Sequence, residues 1–137
     1  MTTVGDGADN SVSRTPAWLD ALPAGTAEAR ALVRSFLDRY EPAVPERTAV
    51  DVLLVVSELV TNAIRHAGGV TGFRISARSG VVEIAVRDAS PRLPAIKQHR
   101  EDWLPGGYGW PLVHRLAEVT VTALGDGGKL IKALIHH

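Results

Sequence analysis

The stretch from Pro45 to Gly69 constrains this chain more than any other, because it runs from Glu46 to Ala67 without a single glycine or proline. At about 100° per residue, Ala49, Val52, Leu53, Val56, Val60, Ala63, Ile64 and Ala67 share one broad apolar face. Pro45 suits the opening of such a helix, where its missing N–H removes nothing, and Gly68-Gly69 suits its C-terminal cap. Leu54 and Val55 extend the apolar sector nearly all round in the first half, which predicts burial on two sides there. Beyond them Glu58, Asn62, Arg65 and His66 form one polar sector. A helix of this kind must be covered, so the flanking segments decide the fold class.

Ahead of it, Ala29, Leu32, Val33, Phe36, Leu37 and Tyr40 fall on one stripe at helical spacing, with Thr26 in place to serve as the N-cap and Glu41-Pro42 ending the helix. Ala17 to Leu22 is predicted as a short edge strand broken off by Pro23-Ala24-Gly25. After the long helix, Phe73, Ile75 and Ala77 alternate with polar residues, Ser79-Gly80 turns the chain, and Val82, Ile84 and Val86 alternate in their turn. That is a β-hairpin. Asp88 to Tyr108 shows no period of either kind; a short helix over 109–117 and a second hairpin, Val119 to Ala123 with Lys129 to Ile135, follow it. So long an irregular segment in a compact domain is usually functional. Two hairpins and three helices without β-α-β alternation predict an α+β chain: a two-layer α/β sandwich, its sheet mainly antiparallel and its helices on one face.

Residues 1–16, dominated by Gly, Asp, Asn, Ser and Thr, read as a flexible arm, and residues 17–137 as one domain. Fifteen basic against 15 acidic residues leave no net charge to attract a polyanion, so direct nucleic-acid binding is not expected. No cysteine is present, which removes thiol catalysis and disulfide scaffolds. The longest apolar run, Val52 to Val56, is far short of the roughly 20 residues that cross a bilayer. With no apolar signal segment near Met1, the expected setting is cytoplasmic, without a membrane partner.

Glu58 and Asn62 are four apart and therefore neighbours on one helix face. An amide oxygen there can ligate a hydrated magnesium ion while the carboxylate takes a proton from a nucleophile, although E-x-x-x-N also occurs on ordinary solvated helix faces. Asp88 ends a strand, where it can present a carboxylate to a pocket or simply form a turn. Gly106-Gly107-Tyr108-Gly109 leads into the third helix, and glycine backbone N–H groups before a helix N-terminus favour phosphate. The P-loop pattern and a G-x-G-x-x-G opening a βαβ unit are both absent. His66, His99 and His114 have no metal-ligand spacing.

In order, "VSELVTNAIRHAGG", "VRDASPRLP" and "GGYGWPLVHRLA" resemble the GHKL (histidine kinase-like) ATPase superfamily, and within it the actinobacterial anti-sigma-factor serine kinase branch; the resemblance spans roughly residues 18–135. It implies a Bergerat-type ATP-binding fold with a long ATP lid over residues 92–106. By it, Asn62 ligates the magnesium ion bridging the ATP phosphates, Glu58 is the general base, Asp88 accepts from the adenine amino group, and Gly107 and Gly109 border the triphosphate. Ser90 stands where the superfamily has a glycine close to adenine. Leu130 stands where many relatives have a threonine near the base, exchanging a hydroxyl contact for an apolar one. Arg92, Lys97 and Arg100 are the lid cations that could meet phosphate.

The function implied is serine/threonine phosphorylation of an anti-anti-sigma (STAS) protein by an ATP- and Mg2+-dependent kinase that also sequesters a sigma factor, with a homodimer as a further possibility. Positioning, one metal ion and one base suffice for such a transfer. The alternative is a non-catalytic module that binds partners in response to nucleotide or without it. The first-helix stripe offers a docking surface only if the core does not consume it.

Overall fold

The computed structural model of the chain describes residues 17–92 and 109–137. In order these form β1 (Ala17–Ala21), α1 (Thr26–Arg39), α2 (Glu46–Ala67), β2 (Val70–Arg78), β3 (Val81–Asp88), α3 (Gly109–Leu116), β4 (Glu118–Ala123) and β5 (Lys129–His136). The expected arm over 1–16 and most of the expected lid, with Lys97, His99, Arg100 and Gly107, lie outside the described residues. Every element expected within them is present, the weakly patterned edge strand included.

The strands form a five-stranded sheet in the order β1-β2-β3-β5-β4. Each neighbouring pair is antiparallel. The two expected hairpins thus sit side by side, β5 pairing with β3 and carrying β4 outward. The strand period of two turns Phe73, Ile75, Ala77, Val82, Ile84, Val86, Ile131, Ala133 and Ile135 to one face, where all are buried. The other face carries Trp18, Asp20, Arg74, Arg87 and Lys132. There Asp20 and Arg74 face each other across β1 and β2 with Nε to Oδ1 at 2.6 Å, and the Arg74 guanidinium lies 4.5 Å from the Trp18 ring centroid. Such exposed pairs add little stability but match the register.

α2 lies on the apolar face of the sheet, and α1 and α3 pack against it. Pro45 stands just before its first turn, and Gly68 closes it at φ +78°, a left-handed position that costs glycine nothing. Ala49, Val52, Leu53, Val56, Val60 and Ala63 are buried as the spacing predicts, joined by Val55 and Leu59 from the adjoining sector. Two expectations fail at its rim. Ile64 is 39% exposed and Leu54 38% exposed, because the neighbouring layers do not reach so far round the helix.

On α1 most of the stripe goes into the core: Ala29, Val33, Leu37 and Tyr40 are buried, while Leu32 and Phe36 are partly buried. Thr26 is not the N-cap. Gly25 holds that position with no side-chain cap bond, and the Thr26 hydroxyl instead lies 3.0 Å from that of Thr61 on α2. Nearby, Arg30 donates to Ser57 Oγ at 2.6 Å, and Ser57 donates to the Leu53 carbonyl at 2.8 Å. These contacts tie α1 to the turn of α2 that precedes Glu58. Among the described residues no helix is long and apolar enough to cross a membrane.

Ile84 is fully buried in the central strand. Ile84→Ala is therefore expected to lower unfolding free energy by about 2–5 kcal/mol. Trp18→Ala, on the open face, should cost under about 1 kcal/mol. Urea denaturation of both variants checks the assignment of the two faces, and equal losses would contradict it.

Candidate functional site

The ladder places Val70 opposite Asp88, and Val70 follows the last residue of α2 by three positions. Asp88 therefore stands at the sheet end toward which the C-terminal half of α2 runs, the half bearing Glu58 and Asn62. The chain leaves this end after Asp88 and re-enters the described structure at Gly109, beside Glu58. Residues far apart in sequence are thereby gathered at one end of the sandwich.

Glu58 is the residue at odds with its surroundings. Its Oε1 is sealed from solvent and has no hydrogen-bond partner among the described residues. A buried acceptor left open is costly unless something else fills it. Gly109, the first residue of α3, is what closes over it: a Cβ there would overlap the Glu58 carboxyl group. The glycine is thus required by contact, and it sets the N-terminus of α3 against the carboxyl group. Burial raises the Glu58 pKa above the ordinary carboxylate value, and the charge of Arg65 offsets only part of that rise. A carboxylate that holds its proton more tightly is a better base for a hydroxyl. Trp110 and Val113, both buried, anchor α3 so that this contact is kept. Asn62, one turn further along α2, is half-buried.

Asp88 ends β3 with its side chain on the inward face, 4% exposed. Its Oδ1 accepts from the Ser90 backbone N–H at 2.9 Å, so both meanings of this aspartate hold: it forms the turn and it is presented inward. Ser90 also caps the start of the following segment, its Oγ accepting from the Arg92 N–H at 3.1 Å.

Lys129 is the residue that sequence reading missed. It faces Asp88 across β3 and β5. Its Nζ lies 2.9 Å from each carboxylate oxygen, and it is itself 4% exposed. Leu130, expected near the base, points the other way. The period of two turns it to the outer face beside Arg87 and Lys132, where it lines an open groove of about 690 Å³ on the side of the sheet opposite the Asp88 side chain. Gly128 permits the close approach, since a Cβ there would overlap the Asp88 carbonyl oxygen. The signal was available: on a strand from Lys129 to Ile135, Lys129 shares parity with Ile131, Ala133 and Ile135, the core residues.

No cluster of three or more His, Cys, Asp and Glu side chains able to hold a metal exists among the described residues.

A fold with this sheet, these helices and a carboxylate under a helix N-terminus is that of a histidine kinase-like ATPase domain. Residues 19–134 match the family described as "Histidine kinase-like ATPase domain", and the chain belongs to it. Over 78 residues it is 35% identical to the anti-sigma F factors of Geobacillus kaustophilus (strain HTA426) and Geobacillus stearothermophilus, covering 53% of this chain and 52% of each relative. The chain thus spans about half the length of the curated relatives it matches. Among solved structures it is similar to the blue-light activated histidine kinase EL346 of Erythrobacter litoralis, at 26% identity and a TM-score of 0.50 over 83% of this chain and 42% of that one. The SiaB-SiaC complex of Pseudomonas aeruginosa contains a chain sharing the fold, at 16% identity and a TM-score of 0.51 over 85% of this chain and 88% of that one.

The raised Glu58 pKa has a direct consequence for stability. Below the ordinary value of 4.5 the carboxyl group is protonated whether the chain is folded or not, and nothing is lost. As pH rises through the folded-state value, the folded form must either keep a proton that the unfolded chain releases or bury a charge, so stability falls. Glu58→Gln is expected to raise the thermal midpoint at pH 7 and to lose that advantage at pH 4. Thermal melts at the two pH values test this, and a gain independent of pH would contradict the desolvation of Glu58.

Proposed function

We propose that this chain binds Mg2+-ATP at the end of the sandwich marked by Asp88, Asn62 and Glu58, and transfers the γ-phosphoryl group to a serine or threonine of an anti-anti-sigma (STAS) protein. A sigma factor is the second partner, held or released according to that phosphorylation. The observation that carries the reading is the buried, unpartnered Glu58 Oε1 beneath Gly109. A carboxylate acceptor kept free of protein donors, in a place that raises its proton affinity, is suited to take a hydroxyl proton as the oxygen attacks phosphorus. Family membership and the likeness to anti-sigma F factors support the nucleotide and the partners respectively.

In this reading the Asp88 carboxylate receives the exocyclic amine of adenine and the Asn62 amide oxygen ligates magnesium. Glu58 takes the proton from the attacking hydroxyl while the bond between the β-bridging oxygen and the γ-phosphorus breaks and ADP leaves. Gly107 and Gly109 flank the triphosphate, where backbone N–H groups ahead of a helix N-terminus favour phosphate. Ser90 lies in the turn beside the base. The setting is cytoplasmic, with residues 17–137 acting as one domain, and pairing with a second copy belongs to the same reading. A module that binds partners without nucleotide is favoured by one observation, the engagement by Lys129 of the Asp88 carboxylate that adenine would need.

Calorimetric titration with ATP, with and without Mg2+, paired with a phosphotransfer assay on a STAS substrate, separates these readings. Asp88→Asn is expected to lose most nucleotide affinity, and Asn62→Ala to lose the magnesium dependence. Glu58→Gln should keep affinity while transfer falls by about 100- to 10,000-fold. Undiminished transfer by Glu58→Gln would remove it as the base. Binding with no transfer, or no binding, by the folded wild-type protein would establish the non-catalytic module.

A further inference from the structure

The proposed function gives Asp88 a ligand but leaves Lys129 without a purpose. A lysine ammonium has three N–H donors and no lone pair. Here Nζ lies 2.9 Å from Asp88 Oδ1, 2.9 Å from Oδ2 and 3.3 Å from the Ser90 carbonyl oxygen. All three donors are therefore spent inside the protein. Asp88 Oδ1 receives a second bond, from the Ser90 N–H at 2.9 Å, while Oδ2 receives only the ammonium. Among the described residues, what Asp88 and Lys129 have left to offer an incoming base is acceptor capacity on Oδ2.

Burial makes that one-sidedness firm. Asp88 and Lys129 are both 4% exposed, so water is not at hand to adapt the pair to a mismatched ligand. With the ammonium on both oxygens the carboxylate is held in one orientation and accepts only. Gly128 holds this arrangement in place, since the approach of β5 to the Asp88 carbonyl leaves no room for a side chain there.

We propose that Lys129 is a specificity-determining positioning residue, which holds the Asp88 carboxylate as a fixed acceptor and so selects a nucleotide with an exocyclic amine at C6 over one with a carbonyl there. The inference rests on the reading of Asp88 as the group that meets the base. A 6-aminopurine brings an N–H to Oδ2. A 6-oxopurine brings lone pairs to the same oxygen, and the contact becomes repulsive, the three donors of Lys129 being already engaged. Sites built around a buried polar contact reject an analogue that cannot make it by large factors.

The experiment compares ATP with inosine triphosphate, which differs from ATP in carrying a 6-oxopurine, by calorimetric titration at one Mg2+ concentration. The wild-type protein is expected to prefer ATP by roughly 100-fold or more. In Lys129→Met, with fold verified by circular dichroism, the preference should shrink to within about fivefold, because no ammonium then fixes the carboxyl group as an acceptor. Lys129→Arg, which keeps a cation, should retain most of it. If the Met variant does not fold, Lys129→Gln, a neutral side chain with both a donor and an acceptor, should show the same collapse of the ratio. A wild-type ratio within threefold, or a full preference in folded Lys129→Met or Lys129→Gln, overturns the proposal. Should folded wild-type protein bind neither triphosphate, the nucleotide reading itself fails, an outcome distinct from binding without discrimination.

Discussion

The rest of the structure depends on α2 being covered from both sides. Its apolar sector is too wide for a sheet alone to hide, since Val52, Val55, Val56, Leu59 and Val60 are all fully or almost fully buried. A sheet face of β-branched residues takes one side, and α1 with α3 close the rest. Full burial of each Val, Leu or Ile side chain contributes about 1.5–3 kcal/mol against the entropy of ordering the chain. Once α2 is held in this way, its polar sector has nowhere to go except the end of the sandwich. The position of Glu58 follows from the packing of its apolar neighbours.

Two polar arrangements at that end are costly in different ways. Asp88 and Lys129 are buried but matched, each satisfying the other across adjacent strands. Such a pair is weak evidence for stability, because desolvating two charges offsets most of their attraction. Its retention fits a role in recognition. Glu58 is half-buried, with its Oε1 sealed under Gly109 and left without a hydrogen-bond partner among the described residues. The first arrangement presents a fixed acceptor, and the second presents a group ready to gain a proton. A nucleotide spanning the two would meet its base at one and its reacting phosphate at the other.

Much of this was legible in the sequence because it depended on periodicity. The period of 3.6 and the glycine pair at 68–69 delimit α2, and the period of two delimits both hairpins. Order along the chain, rather than any single motif, supported the likeness to the ATPase superfamily, which the family match bears out. The misreadings came where a neighbour in space overrides a local rule. Thr26 has the chemistry of an N-cap, yet its hydroxyl is drawn to Thr61 on another helix. Ile64 belongs to the apolar arc of α2, but no layer extends far enough to cover it.

Leu130 and Lys129 show the limit most plainly. A charged residue beginning a strand reads as solvated, and the resemblance to the superfamily put Leu130, not Lys129, near the base. Only pairing with β3 decides that Lys129 is the inward residue and that Asp88 stands opposite to neutralise it. The sequence by itself determined the elements, their order and the apolar faces, because these depend on the spacing of residues within one segment. The tertiary structure alone decided which carboxylate stays unpartnered and which receives an ammonium, because a charge can be buried only where a distant part of the chain supplies its counterpart.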